Sequence, residues 1–246
     1  DKYFSSWQPS AHIDVPQFPA QPVLTAPVDT TVVGKEAPML FMGWRAEPSN
    51  SQQIDTLEIV AQLLSNGQAG LFDLDLSQKM KVQEIEAGVT DMNDYSVFYV
   101  YGQSKSGQTL QEVRSLALDE IEKLKKGNFS DDLLPSIVNN YKRYYYKQLD
   151  NNQFRAKQYV DAFINHKDWK KEVDKLNRIS KLTKAEIVKF ANQFFRNDFA
   201  CVYKEQGNDT TIKKVEKPTI TPIPTNNDKQ SDFLKEIVNT KTTPIQ

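Results

Sequence analysis

Few residues here have the side chains that acid–base, nucleophilic or metal chemistry needs. There are two histidines, His12 and His166, and one cysteine, Cys201, in 246 residues. A single cysteine excludes an internal disulfide and any multi-cysteine zinc or iron–sulfur site. His12 lies among prolines with no acidic or histidine partner three or four residues on, and His166-Lys167-Asp168-Trp169-Lys170 has no metal-ligand spacing. His166 therefore reads as a surface histidine. Cys201 falls inside Phe199-Ala200-Cys201-Val202-Tyr203, a core-strand pattern in which cysteine behaves as a small hydrophobe. The string Gly67-Gln68-Ala69-Gly70 lacks the Lys-Ser/Thr of a phosphate-binding loop. On this inventory the chain by itself is not a hydrolase.

Three clusters remain. Asp73 and Asp75 lie close together, as do Glu84 and Glu86, and in a strand the second pair shares one face. That pair is either an acidic site or a solvent-facing edge, and the edge is the simpler reading. Tyr141-Lys142-Arg143-Tyr144-Tyr145-Tyr146-Lys147 interleaves rings and cations as single-strand nucleic-acid binders do. On a helix, however, Tyr141, Tyr144 and Tyr145 share a face with Ile137 and Val138. That is core periodicity, with Lys142, Arg143 and Lys147 outward, and no nucleic-acid partner is expected.

The elements that must position these residues follow from the pattern. Residues 8–29 hold Pro9, Pro16, Pro19, Pro22 and Pro27, so this stretch runs extended over a surface. Residues 31–36 and 38–46 read as strands, and the run Met39 to Trp44 is so continuously apolar that a central strand covered on both faces is expected. A helix over 51–65 carries the stripe Ile54, Leu57, Ala61, Leu64 and stops at Asn66-Gly67. A short helix over 70–79 places Leu71, Phe72 and Leu74 inward, and strands over 82–90 and 95–103 form a hairpin.

Thr109-Leu110-Gln111-Glu112 is a capping box, and the helix it opens ends at Gly127. Ser130 caps a helix through 148, in which Pro135 implies a kink or a late onset. Helices over 151–165, 168–178 and 184–196 follow, the last capped by Thr183 with Glu186, and 198–204 closes the domain as a strand. The predicted fold class is α+β: a mainly antiparallel sheet with helices layered on one face.

Charge is uneven. Residues 1–104 carry 5 Lys/Arg against 13 Asp/Glu, and residues 105–246 carry 26 against 19. The basic half is amphipathic throughout, so its charges read first as solvated helix faces, and next as a complementary contact between the two halves or with a neighbouring domain. No apolar run approaches the ~18 residues of a membrane span. The opening Asp1-Lys2-Tyr3-Phe4 has no initiator Met and no export signal, and it reads as the end of a helix. The chain is therefore expected to be a piece of a longer polypeptide. From 206 onward the composition turns Lys-, Thr- and Pro-rich, which fits an interdomain linker, with one helical turn over Ser231 to Ile237.

Several strings resemble the pitrilysin/insulinase-type zinc metallopeptidase family. They are Pro38 to Arg45 followed by the helix Asp55 to Asn66, Leu71-Phe72 with Leu76, Thr109 to Leu124, and Thr183 to Tyr203. The resemblance covers 30–205. It implies an architecture of repeated α+β domains, commonly four, around a closed chamber. It also implies zinc held in the first domain by an inverted H-x-x-E-H helix, which this sequence does not contain. The family's active chains hold substrate with an arginine and a tyrosine seven residues apart; Ser77 and Glu84 occupy the aligned positions and keep the spacing but neither side chain.

Both departures fit the second domain of four: 1–29 a lead-in, 30–205 the domain, 206–246 the linker. The resemblance then implies zinc in the preceding domain, the other domains of the parent chain as partners, and peptide as the whole protein's substrate. A non-proteolytic scaffold on the same fold is the alternative. Bacterial relatives are often exported to the cell envelope, but the sequence itself assigns no compartment.

Overall fold

The computed structural model describes residues 3–8, 10–11, 16, 18–211, 215–222 and 229–241. The apolar run after Pro38 forms β2 (Met39–Ala46), the middle strand of a five-stranded sheet. Around it stand β1 (Val28–Gly34), β3 (Glu84–Thr90), β4 (Ser96–Gln103) and β5 (Ala200–Gln206), in the order β1-β5-β2-β4-β3. β2 pairs antiparallel with β4 and β5, β3 pairs antiparallel with β4, and only β1 with β5 is parallel. Arg114 fastens that parallel pair to the helical layer, donating to Asp29 Oδ2 at 2.7 Å and to the Tyr203 hydroxyl at 2.6 Å.

The helices are α1 (Gln53–Leu64), α2 (Leu110–Lys125), α3 (Leu133–Gln148), α4 (Asn152–Ile164), α5 (Trp169–Ser180) and α6 (Lys184–Phe194). α1 and α2 lie on the sheet and α6 packs on α2. α3 and α5 lean on α1, whereas α4 packs chiefly on α5. The fold is thus α+β with its helices on one sheet face. Between sheet and helices, Trp44 packs against Phe98, Phe195 and Phe199 with ring centroids 6.2, 5.4 and 4.8 Å away. Its indole N–H donates to the Arg196 carbonyl at 3.1 Å, so the largest core side chain leaves no polar atom unpaired. Gly102 lets α2 approach β4: a Cβ there would stand 2.8 Å from Val113 Cγ1.

Local signals place the helix ends. Thr109 with Glu112 and Thr183 with Glu186 both form complete capping boxes. Gly127 stops α2 at φ 71°, with its N–H on Leu124 O and that of Asn128 on Lys123 O, a Schellman stop.

Other boundaries differ from expectation. The first strand begins at Val28 because it is set by pairing with β5. α3 begins at Leu133, not directly after Ser130: the Ser130 hydroxyl accepts from Asp132 N, and Pro135 lies in the first turn, where its missing N–H costs nothing. This is the late onset rather than the kink.

β2 is covered on one face only. Leu40, Met42, Trp44 and Ala46 are buried, while Phe41 on the opposite face is 41% exposed and Arg45 is exposed. By internal contacts the chain divides into Asp1–Asp209 and Thr210–Gln246. The second unit contains α7 (Asp232–Asn239), capped by Ser231 and longer than the single turn expected, with no buried residue. No helix among the described residues is long and apolar enough to cross a membrane.

Candidate functional site

The glycine-containing loop after α1 points its amides inward. Asp73 Oδ2 accepts from the backbone N–H groups of Asn66, Gln68 and Gly70 at 2.8, 3.1 and 2.9 Å. Asn66 Oδ1 takes Gln68 N and Ala69 N. The amides that a phosphate would need already hold a buried carboxylate, so Asp73 is the loop's own anion.

The expected short helix is a π-turn, Asp73–Ser77, in which Gln78 N bonds Asp73 O and Lys81 N bonds Leu76 O, five residues back. The wider turn shifts the phase of the stripe. Leu71, Phe72 and Leu76 are buried, but Leu74, expected inward, is exposed.

Ser77 ends this turn and Glu84 opens β3; both are exposed. Neither offers a guanidinium fork or a phenol. Glu84 and Glu86 share the outer face of an edge strand, which is the solvent-facing edge read from the sequence.

Asp75 is held by Lys123 at 2.7 Å and Lys79 at 2.6 Å, and these two hydrogen-bonded ammonium groups lower its pKa to about 2. Lys123 also reaches Glu120 Oε1 at 2.8 Å. Glu120 is buried and its Oε2 has no hydrogen-bond partner among the described residues. Burial pushes its pKa up, against the opposing pull of Lys123. The group ties α2 to the π-turn.

A second network is invisible in the sequence because its members lie far apart. Arg178 on α5 reaches Asp55 at 2.5 Å, and Lys175 reaches Glu58 at 2.8 Å and Asp55 at 3.4 Å. Tyr141 donates to Glu58 at 3.1 Å. Burial, then the Glu58 charge, pushes Tyr141 up to about 12. Burial would lower Lys175, but Glu58, Tyr141 and Asp55 outweigh it and hold the ammonium charged. The network clamps α5 and α3 onto α1.

The remaining residues take structural or surface places. Exposed His166 occupies the left-handed position after α4 at φ 51°, with its N–H on Phe163 O and that of Lys167 on Ala162 O, so a histidine ends the helix where glycine is usual. His12 lies outside the described residues. Cys201 is fully buried on the core face, and burial raises its thiol pKa. Of the tyrosine cluster, Tyr141 and Tyr145 pack, the latter against Phe154 at 5.9 Å; Tyr144, expected in the core, is 64% exposed. Among the described residues no three His, Cys, Asp or Glu side chains converge as a metal site.

What does stand out is the sheet face without helices. Phe41 and Tyr99 stack at 5.4 Å, and Tyr99 lies across Gly88, where a Cβ would meet its hydroxyl at 2.5 Å. Val97 and Val202 continue this surface. The lead-in passes over one end, its Gln21 carbonyl accepting from Arg45 at 3.0 Å. Beneath it runs a groove of ≈ 1010 Å³, whose walls include Pro22, Leu24, Phe41, Tyr95, Val97 and Phe194. Its signal in the sequence is a set of strands apolar on both faces.

The family described as "Peptidase M16 inactive domain" matches residues 1–141. Among solved structures, a protease from Helicobacter pylori aligns with a TM-score of 0.77 at 18% identity, over 83% of this chain and 50% of that one. A peptidase M16 inactive domain from Pseudomonas fluorescens aligns with a TM-score of 0.65 at 11% identity, over 77% of this chain and 46% of that one. The periplasmic protease PqqL from Escherichia coli aligns with a TM-score of 0.60 at 11% identity, over 78% of this chain and 23% of that one. The chain thus spans about half the length of the first of these, or less. At such identities the likeness is one of fold. No curated protein sequence matches the chain.

Proposed function

Because this chain belongs to the peptidase M16 inactive-domain family, we propose that it is a non-catalytic, chamber-forming domain of a zinc-dependent metallopeptidase that hydrolyses peptides or small unfolded proteins. In this reading it is the second domain of four, with 1–29 leading in, 30–205 forming the domain and 206–246 leading on. Zinc is bound by the preceding domain, where it supplies an activated water. The residues of this chain bind neither metal nor scissile bond. They build wall, interface and the alignment of the hinge between the halves.

The observation that carries the proposal is the open sheet face. A strand as apolar as β2, left bare on the Phe41 side, is what a domain looks like when its neighbour in the same polypeptide is missing. Ser77 and Glu84 support the non-catalytic part, since they stand where the family's active chains carry arginine and tyrosine and provide no bidentate donor.

The test is metal analysis and a peptidase assay on this chain alone. Both are expected to be blank, and stoichiometric zinc together with hydrolysis of an unfolded peptide overturns the reading. The scaffold alternative is separated by the parent sequence: an H-x-x-E-H helix within the ~200 residues before Asp1 selects the peptidase, and its absence selects the scaffold.

A further inference from the structure

The two edges of the sheet are finished differently. β3 closes one side with Glu84 and Glu86, both exposed, and charge along an edge keeps other chains from pairing with it. β1 closes the other side with Val28-Asp29-Thr30-Thr31-Val32-Val33-Gly34. Its single charge, Asp29, is held by Arg114 at 2.7 Å. No lysine or proline falls inside the strand, and residues 28–33 are all exposed. Apart from Asp29 and Gly34 every residue is β-branched, the composition that favours strand pairing.

The bonds to β5 fix which backbone groups are left over. Val28 N–H donates to Phe199 O at 3.0 Å, and Gly34 O accepts from Gly207 N at 2.8 Å. Direction alternates along a strand, so Val28, Thr30, Val32 and Gly34 turn to β5. Asp29, Thr31 and Val33 turn their N–H and C=O groups outward. Among the described residues no backbone group bonds to them.

We propose that β1 pairs with β1 of a second copy of this chain, antiparallel about a two-fold axis at Thr31, joining the two sheets edge to edge. In this register Thr31 faces the partner's Thr31, and Asp29 faces the partner's Val33. Each is a pair that exchanges both of its hydrogen bonds, so every outward group of the strand is matched. Thr30 faces the partner's Val32, a β-branched contact, and no like charges stand opposite each other.

Neighbouring registers fit less well. A centre one residue earlier sets Val33 against Pro27, which has no N–H. One residue later, Asp29 meets Lys35, where the chain has already left the strand. A centre between two residues sets outward groups against inward ones.

Other occupants fit less well too. An extended peptide added to an edge is selected by pockets for alternate side chains, and β1 lines no part of the groove on the open face. A strand from another domain would need an unblunted edge of its own, whereas a second copy brings one already in register. The pairing needs β1 alone and is independent of the peptidase reading.

The 246-residue chain is to be followed by sedimentation velocity from about 5 to 500 µM. A monomer–dimer equilibrium is expected, dissociating on dilution because an edge contact is smaller than a standard interface. Thr31→Lys and Thr31→Glu each set like charges face to face at the axis and are expected to weaken the dimer about fivefold or more. Circular dichroism is expected to stay unchanged, since Thr31 is exposed and its N–H does not serve β5. Mixing the two variants in equal amounts restores a dimer, because lysine then meets glutamate. Thr31→Pro removes a donor that an edge strand can spare and is expected to weaken the dimer about tenfold or more. A chain monomeric throughout this range, a dimer indifferent to both charged variants, or a mixture no more associated than its components overturns the proposal.

Discussion

The two faces of the sheet share aromatic and branched residues but differ in what covers them and in how much charge they carry. On one face Leu40, Met42, Trp44, Phe98 and Val100 are fully or almost fully buried beneath α1, α2 and α6. On the other, Phe41, Val97, Tyr99, Tyr101 and Val202 are half-buried or exposed, with only the lead-in passing over one end. The first face carries the stability of this chain. The second mixes apolar Phe41, Val97 and Val202 with charged Arg45, Glu84, Glu86 and Lys204, and no helix covers it in this chain.

Substitutions in the sheet and at its border sharpen the contrast. Trp44→Ala removes a buried indole, three ring contacts and the bond to the Arg196 carbonyl, and is expected to cost about 3–5 kcal/mol in denaturant unfolding. A cost under about 1 kcal/mol would mean that the helical face is not the core.

At the border, Asp75→Asn breaks the link between the π-turn and Lys123, and should cost about 1–2 kcal/mol at pH 7, allowing for the partial exposure of the pairs. The folded pKa, about 2, lies below the ordinary 3.8, so this stability is present above pH 4 and is lost as pH falls through about 2. The difference between wild type and variant should shrink over that window. Glu120 acts in the opposite sense: its raised pKa favours the folded state at lower pH.

The smallest effect belongs to the open face. Phe41→Ala leaves a surface already in contact with solvent and is expected to change stability by less than about 1 kcal/mol in this chain. A loss comparable to that of Trp44→Ala would erase the distinction between the faces.

Signals confined to a few neighbouring residues are legible in the amino-acid sequence. Both capping boxes, the Gly127 stop and the strand strings depend on contacts within a turn or on period alone. Leu74 departs from its expected inward place because a π-turn breaks the 3.6-residue phase. His166 gives little sign of ending α4, since glycine is the usual residue at the left-handed position and histidine takes it only occasionally. Tyr144 shows that periodicity names a helix face without saying whether anything lies against it. The Asp55–Lys175–Arg178 network spans more than a hundred residues of sequence, and nothing local announces it. For the candidate site, the poverty in histidine and cysteine is plain at once. The bare sheet face shows in the sequence only as apolar residues, Phe41, Val97 and Tyr99, at the strand positions between the buried ones.

The most direct test of the open face is binding between this chain and the zinc-binding domain proposed to precede it, with Phe41→Asp and Val97→Asp as variants. A docking role for that face predicts a complex that either aspartate weakens by about tenfold or more, while the melting temperature of the free chain barely moves. Association that ignores both substitutions, or a free chain that unfolds with either of them, would contradict it.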